Sequence, residues 1–261
     1  MEWSPSGFLT AGGKRLEYAC FGPPPDQAPT IVLLHEGLGC VALWRDFPKR
    51  LKTVSNKGVF AYSRAGYGQS DPVALPRPLD YMTREAVETL PEVLDMIGAR
   101  DAILLGHSDG ATISAIYAGT VSDSRVKGVI LLAPHFFTEP EGLESIAQAK
   151  TAYETTTLPK KMAKYHRDPD NAFHGWNEAW LDPGFKAWNV ADVIDGIRAP
   201  ILAIQGAGDQ YGTLAQIDAI TKRAIAKAEV AILPDTRHAP HLESPEATLE
   251  AVAKFLANLE I

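Results

Sequence analysis

The sequence predicts an α/β fold built on a mainly parallel sheet, because short apolar runs alternate along the chain with segments of helical length. Such runs suit strands that are buried on both faces of a sheet. They occupy 30–34, 58–62, 102–105, 126–133, 201–205 and 229–233. Most of the segments between them are long enough for a crossover helix, which parallel pairing requires.

Two further strands and five helices complete the predicted core. Gly12-Gly13 is a hairpin turn pair, so residues 7–21 are predicted to form two short strands around it. The helices are predicted at 43–55, 81–98, 109–121, 212–227 and 244–259. Ser244 followed by Pro245 marks the start of the last helix, with the serine as its N-cap.

The regular alternation stops between Pro134 and Arg198. A crossover between parallel strands needs only about 12 residues, and this segment is far longer. We therefore predict one α/β core, formed by 1–135 and 196–261, and a small helical cap inserted at 136–195. The cap is rich in aromatic residues, which either pack it onto the core or contact a substrate. Four of them are candidates for substrate binding: Phe136, Phe137, Trp176 and Trp180.

The charge balance argues against some classes of partner. The chain has 25 basic and 32 acidic residues, a net charge of −7, and neither a basic cluster nor a basic helix face. Nucleic acid and anionic membranes are therefore not expected as partners. The expected partner is a small-molecule substrate.

Cysteine usage and the N-terminus bear on cofactors and location. Cys20 and Cys40 are too few for a disulfide framework and lack metal-ligand spacing, so neither a metal nor another cofactor is expected. The N-terminus lacks the basic and apolar segments of a signal peptide, and no stretch approaches the roughly 20 apolar residues that span a bilayer. We expect a cytoplasmic protein, either a monomer or a homodimer.

The clearest functional signal is the pentapeptide G-H-S-D-G at 106–110, which lies between an apolar run and a predicted helix. A serine with glycine two residues away on either side, at an abrupt turn from strand to helix, has the pattern of a nucleophile elbow. Glycines are needed there because strand and helix approach too closely for a Cβ atom. Ser108 is therefore the candidate nucleophile, and the positive end of the helix dipole favours an oxyanion beside it.

A serine hydroxyl needs a base to take its proton, and the base needs an acid behind it. Asp209 and His238 each follow an apolar strand, and ligand sites of open α/β sheets lie at the carboxyl ends of strands. Ser108, Asp209 and His238 are therefore the candidate catalytic residues. Three alternatives remain for the acid, namely Asp235, Glu139 and Glu141, and one remains for the base, His241.

The oxyanion of a tetrahedral intermediate needs N–H donors. One is expected to be the backbone N–H of Asp109, directly after the serine. The other is expected from the glycine-rich loop after Leu34, where Gly37 is favoured and Leu38 remains open. Other polar residues near these loops are expected to be structural, namely His35, His107, His135, His241 and Arg64. Of these, His241 is expected to pack under the following helix.

Five segments carry a family resemblance: L-L-H-E-G-L-G at 33–39, Y-S-R-A-G-Y-G-Q-S-D-P at 62–72, G-H-S-D-G at 106–110, Q-G-A-G-D at 205–209 and R-H-A-P-H-L-E-S-P-E at 237–246. Together they resemble the α/β-hydrolase superfamily, in its group of compact, lidded serine esterases and lactonases. The resemblance implies an α/β-hydrolase fold. It also implies that Ser108 is the nucleophile, Asp209 the acid and His238 the base.

Two positions depart from the pattern of that superfamily. Where it usually has His-Gly, this chain has His35-Glu36, which places a carboxylate in the oxyanion loop. The Glu36 side chain either faces the pocket or points to solvent, and we favour solvent. The aspartate that commonly opens the R-x-G-x-G-x-S loop is Ser63 here, which is expected to alter only local hydrogen bonding.

The leading hypothesis is hydrolysis of a small to medium, largely apolar carboxylic ester or lactone through an acyl-Ser108 intermediate. The same machinery attacks thioesters, amides and carbon–carbon bonds beside a ketone. A C–C bond hydrolase, or a lyase with the same triad, is therefore the alternative enzyme. A third hypothesis, from a different class, is a small-molecule binding protein of hydrolase fold with little turnover.

Overall fold

Within residues 3–259, which the computed structural model describes, one eight-stranded sheet runs through the protein. Its strands are β1 (Ser6–Ala11), β2 (Lys14–Phe21), β3 (Thr30–Leu34), β4 (Gly58–Tyr62), β5 (Ala102–His107), β6 (Val126–Leu132), β7 (Ile201–Gly206) and β8 (Ala228–Leu233). Their spatial order is β1-β2-β4-β3-β5-β6-β7-β8. The pairs β1–β2 and β2–β4 are antiparallel and the other pairs are parallel, so the predicted mainly parallel sheet is confirmed.

The helices of the described residues are α1 (Phe47–Ser55), α2 (Tyr81–Arg84), α3 (Leu90–Ile97), α4 (Asp109–Thr120), α5 (Pro140–Thr155), α6 (Leu158–Met162), α7 (Pro169–Leu181), α8 (Ala215–Arg223), α9 (Pro240–Glu243) and α10 (Pro245–Ala257). Three 3-10 turns lie at Val41–Trp44, Pro183–Phe185 and Ala191–Gly196. None of the helices between residues 3 and 259 is long and apolar enough to cross a membrane.

The predicted core helices are present, with shorter or interrupted spans. A π turn at Glu85–Thr89 divides the helix predicted at 81–98 into α2 and α3. Ser244 is the N-cap residue of α10, as predicted, but its side chain accepts no capping hydrogen bond from the helix. Its hydroxyl lies 2.6 Å from the hydroxyl of Thr236, which links the start of α10 to the loop after β8.

Alternate residues of the central strands are buried on opposite faces of the sheet. On β3, Ile31 and Leu33 pack in the hydrophobic cluster that includes side chains of α1 and α10. Val32 and Leu34 pack on the other face, in a cluster that includes residues of α3 and α4. Burial on both faces explains why these strands read as continuous apolar runs rather than as alternating ones.

The carboxyl ends of four strands meet along one edge of the sheet. β3 leads into the loop 35–39, β5 into Ser108, β7 into the loop 207–214 and β8 into the loop 234–239. Between β6 and β7 the chain forms α5, α6 and α7, within the segment predicted to be a cap. Aromatic side chains of α7 join the core cluster of the main sheet.

Candidate active site

Ser108 lies at an abrupt turn between β5 and α4, with φ +53° and ψ −118°. A positive φ is uncommon for residues other than glycine, and such strain concentrates at functional sites. A Cβ atom at Gly106 would collide with the backbone of Gly110, and one at Gly110 would collide with the carbonyl of Leu34. The predicted reason for the two glycines is confirmed: strand and helix leave no room for a side chain.

The His238 ring is held by Asp209. Nδ1 of His238 lies 2.8 and 3.0 Å from the two carboxylate oxygens of Asp209, and the N–H of Tyr211 donates to the same carboxylate at 2.9 Å. Burial alone would raise the pKa of Asp209, but the hydrogen bond and charge of His238 lower it below its usual value. Because a carboxylate only accepts, the hydrogen of a neutral His238 ring is on Nδ1 and its lone pair is on Nε2.

The alternative acids have other surroundings. Glu139 accepts hydrogen bonds from the hydroxyl of Thr213 at 2.5 Å and from the side-chain amide of Gln216 at 2.6 Å. Glu141 is exposed at the start of α5. Asp235 occupies a turn with φ +53°. Asp209 is thus the carboxylate that the structure places on the His238 ring.

Ser108 is close to the rim but is not bonded to the base in this structure. Within residues 3–259, the hydrogen-bond partners of His238 are Asp209, through the ring, and His107, through the backbone carbonyl. The Ser108 hydroxyl is not among them, and Ser108 is only 7% exposed. The structure therefore brings the candidate acid and base together, and leaves the hydroxyl and Nε2 of His238 unpaired.

The loop after β3 is arranged to present backbone donors. Arg64 Nη2 donates to the carbonyls of His35 at 3.1 Å and of Glu36 at 2.9 Å. The carbonyl and the N–H of one trans peptide point in opposite directions, so the N–H of Gly37 is directed away from Arg64. Within the described residues, the N–H groups of Gly37, Leu38 and Asp109 donate to no protein acceptor. The expected donor Asp109 and both candidates for the second donor, Gly37 and Leu38, are therefore free of protein acceptors in the described part of the chain.

Arg64 is a buried cation behind this loop. Its side chain is 1% exposed, and Nη1 lies 3.9 Å from the carboxylate of Asp109, which is equally buried. Its guanidinium carbon lies 5.0 Å from the ring centre of Tyr67. Arg64 thus contacts the oxyanion loop and faces the residue after Ser108, and the expectation that it tethers a loop is confirmed.

The four aromatic candidates for substrate binding are placed in two groups. Phe136 and Phe137 pack in a hydrophobic cluster that includes residues of α8 and the end of the cap segment, which places these two rings in the core. The indole of Trp176 covers Gly37 so closely that a Cβ there would collide with it. Trp180 donates from its indole N–H to Tyr81 at 3.0 Å, and Tyr81 donates to the Asp109 carboxylate at 2.6 Å.

Comparison with known proteins agrees with this geometry. A family model described as the alpha/beta hydrolase family matches residues 31–251. The chain belongs to that family. Epoxide hydrolase B of Mycobacterium tuberculosis is 30% identical over 130 residues, which cover 49% of this chain and 35% of the relative. Proline iminopeptidase of Heyndrickxia coagulans is 32% identical over 139 residues, covering 49% of this chain and 42% of the relative.

Solved structures show the alpha/beta hydrolase fold over nearly the whole chain. The enol-lactonase from Burkholderia xenovorans LB400 superposes with a TM-score of 0.72 at 21% identity, over 97% of this chain and 100% of that one. By sequence, the chain matches less than half the length of each of the two curated relatives. The family model establishes the family and the solved structure shows the fold, while the relatives differ in the substrates that their names give.

The two residues that depart from the family pattern, Ser63 and Glu36, both contact other side chains. Ser63 donates from its hydroxyl to Glu17 at 2.7 Å and accepts from the N–H of Val41 at 2.9 Å, so the expected effect on local hydrogen bonding is confirmed. The favoured solvent-facing orientation of Glu36 is wrong. Its carboxylate turns inward, with Oε2 3.4 Å from Nδ1 of His107 and the side chain 29% exposed.

Two residues of the site escaped the sequence-based prediction. Tyr211 places its ring 4.7 Å from that of His238, and its position two residues after Asp209 was a usable signal. Tyr81 contacts Asp109 from a separate helix, and no local sequence pattern predicts that contact. In the described part of the chain, no group of three or more His, Cys, Asp or Glu side chains is arranged to hold a metal.

Proposed function

We propose that this chain is a serine hydrolase that cleaves a small to medium carboxylic ester or lactone through an acyl-Ser108 intermediate. The observation that carries the proposal is the Asp209–His238 pair, located on the same sheet edge as a serine in a strained elbow. An acid-backed imidazole beside a serine is the arrangement that converts a hydroxyl into a nucleophile. The free N–H groups of Gly37 and Asp109 support a reaction that passes through an oxyanion.

The reaction proceeds in two steps. Nε2 of His238 takes the hydroxyl proton of Ser108 as Oγ forms a bond to the carbonyl carbon, and the carbonyl oxygen becomes an oxyanion held by the N–H groups of Gly37 and Asp109. Collapse of this intermediate breaks the bond to the leaving alkoxide, which receives the proton from His238. Water then attacks the acyl-enzyme, gives a proton to His238 and releases the acid, and the proton returns to Ser108.

The Ser108–His238 hydrogen bond forms when substrate is bound. Catalytic hydrogen bonds are often long or misaligned in an empty site and tighten in the substrate complex. Asp209 already fixes the tautomer and the orientation of the ring, so approach of the Ser108 hydroxyl to Nε2 completes the relay. Esters, lactones and amides all present a carbonyl carbon to such a nucleophile.

Residues 136–195 act as a cap over this site. Trp176 lies against Gly37, and Trp180 contacts the His135 ring with 5.5 Å between ring centres, which supports apolar walls next to the elbow. Phe136 and Phe137 contribute to packing of the core instead. A largely apolar acyl group of modest size suits these walls.

The test is a series of p-nitrophenyl acyl esters and simple lactones, assayed with the unchanged protein, Ser108→Ala and the control Ser114→Ala. Ser114 is a buried serine of the same helix, and its hydroxyl is bonded to the carbonyl of Gly110 within that helix. We expect turnover to fall by a factor of about 10³ or more in Ser108→Ala, and to persist in Ser114→Ala. Fluorophosphonate labelling follows the same pattern.

Two outcomes contradict the proposal. Turnover that is unchanged in Ser108→Ala removes the acyl-enzyme mechanism. No turnover of any ester or lactone, together with tight binding of a small molecule, favours a binding protein of this fold.

A further inference from the structure

The Glu36 carboxylate occupies a place that the protein leaves open for it. A Cβ at Gly39 would collide with this carboxylate, so glycine at that position gives the side chain room to fold inward. Oε2 then lies 3.4 Å from Nδ1 of His107, the residue directly before Ser108. The oxyanion loop and the elbow are thereby joined by a pair of side chains.

The other nitrogen of His107 is hydrogen-bonded to the backbone of His238, the proposed base. Nε2 of His107 lies 2.7 Å from the backbone carbonyl of His238. A carbonyl oxygen only accepts, so Nε2 must carry a hydrogen. One imidazole therefore connects the oxyanion loop, the elbow and the loop that holds His238.

The protonation state of His107 follows from these two contacts. In a neutral ring with the hydrogen on Nε2, Nδ1 holds a lone pair, and a lone pair facing the Glu36 carboxylate would be repelled. A glutamate carboxylate is ionised near neutral pH unless it is fully buried, and the Glu36 side chain is 29% exposed. A hydrogen on both nitrogens of His107, which makes the ring an imidazolium, satisfies both contacts.

The surroundings of two neighbouring histidines, His35 and His241, favour neutral rings. Nδ1 of His35 donates to the Glu36 carbonyl at 2.7 Å, and its Nε2 accepts from the N–H of Arg64 at 3.0 Å. His241, with its ring 4.8 Å from that of His107, is buried, and burial lowers its pKa well below the usual value. Its ring lies 4.8 Å from that of Trp44, and its expected packing under the following helix stays a prediction.

We infer that Glu36, acting through the His107 imidazolium, is a positioning residue that holds the main chain of His238 against the nucleophile elbow. The inference rests on the proposed function, because it gives His238 the role of the base. The His238 ring lies 5.1 Å from that of His107 and is hydrogen-bonded to Asp209. The main chain of His238 is thus held by Glu36 through His107, and its ring is held by Asp209.

The test compares Glu36→Ala, Glu36→Gln and the control Glu141→Ala, which removes an exposed carboxylate from α5. The amide of glutamine can donate to Nδ1 of a neutral His107, so Glu36→Gln keeps the contact and loses the charge. We expect kcat to fall by about 10- to 100-fold in Glu36→Ala, with KM changed little, because a misplaced base slows the chemical step. Glu36→Gln is expected to recover part of that loss, and to have a different pH profile of kcat/KM.

The second measurement is the nitrogen chemical shifts of the His107 ring near neutral pH. We expect hydrogens on both nitrogens in the unchanged protein and on one in Glu36→Gln. A single hydrogen in the unchanged protein, or full activity of Glu36→Ala in a protein that needs Ser108, overturns the inference and leaves the proposed function standing. The ring measurement needs no turnover, so it tests the pairing even if Ser108 proves not to be a nucleophile.

Discussion

Asp209 illustrates what one residue adds to the candidate active site. Its two oxygens receive Nδ1 of His238 and the N–H of Tyr211, so the carboxylate is held on two sides. The sequence predicted this aspartate from its position after a strand and left Asp235, Glu139 and Glu141 as alternatives. The choice depended on side-chain direction: Glu139, for example, is turned toward Thr213 and Gln216.

We predict that Asp209→Asn lowers kcat by a factor of about 10³ to 10⁴ with little change in KM. The amide keeps the volume of the carboxylate, but it neither stabilises the charged imidazole nor fixes the required tautomer. Steady-state kinetics on a p-nitrophenyl ester measure the effect. The matched control is Glu139→Gln, which we expect to retain activity; the reverse result would transfer the role of the acid to Glu139.

At the scale of elements, the site depends on how closely β3, β5 and α4 approach one another. Gly106 and Gly110 are the contact points, and at both positions a Cβ would collide with backbone atoms. Backbone atoms cannot relieve such a collision by rotation, as a side chain can. The sequence predicted this approach from the spacing of the two glycines around Ser108. It did not predict which backbone lies against Gly110, because β3 is remote in the chain.

We predict that Gly110→Ala destabilises the protein by at least about 2 kcal/mol, because the methyl group overlaps the carbonyl of Leu34 and must push α4 away from β3. The melting temperature should fall by roughly 5 °C or more, as measured by differential scanning fluorimetry. Ester turnover should fall with it as Ser108 shifts. Gly208→Ala is the control, since a Cβ there would be 3.4 Å from the carbonyl of Thr236, an ordinary contact.

For the molecule as a whole, buried neutral histidines couple folding to pH. Burial lowers the pKa of His135 to about 3, with a further contribution from the charge of His238. Burial also lowers the pKa values of three other histidines: His35, His166 and His241. At pH values between the lowered histidine pKa of the folded state and the ordinary histidine pKa of the unfolded chain, the folded protein therefore binds fewer protons. The free energy of unfolding is thus greatest above the ordinary histidine pKa and decreases as the pH falls below it.

We predict that the free energy of unfolding decreases from about pH 6.5 to about pH 4, and that His135 alone accounts for about 3 kcal/mol of the decrease. Urea titrations across this range measure it. His135→Gln should flatten the pH dependence, whereas His174→Gln, at an exposed histidine of α7, should leave it unchanged. An equally steep dependence in both variants would assign the effect to other groups.

The fold was predictable because it depends on local patterns. The apolar runs of β3 to β7 are continuous since these strands lie between two layers, and Gly12-Gly13 marks the first hairpin with φ of +56° and +66°. Helix ends were less predictable. The π turn at Glu85–Thr89, for instance, interrupts a segment whose periodicity suggested one uninterrupted helix.

The sequence alone determined the strand order along the chain, the strained serine between two glycines, and a short list of acids and bases at strand ends. These follow from hydrophobic periodicity and backbone sterics, which act over a few residues. Only the tertiary structure decided that Glu36 turns inward to His107, that Trp176 rather than Phe136 lies at the oxyanion loop, and that Asp209 receives the His238 ring. Side-chain direction depends on partners from distant parts of the chain, and burial makes an unpaired charge costly, so only the assembled fold selects among the alternatives.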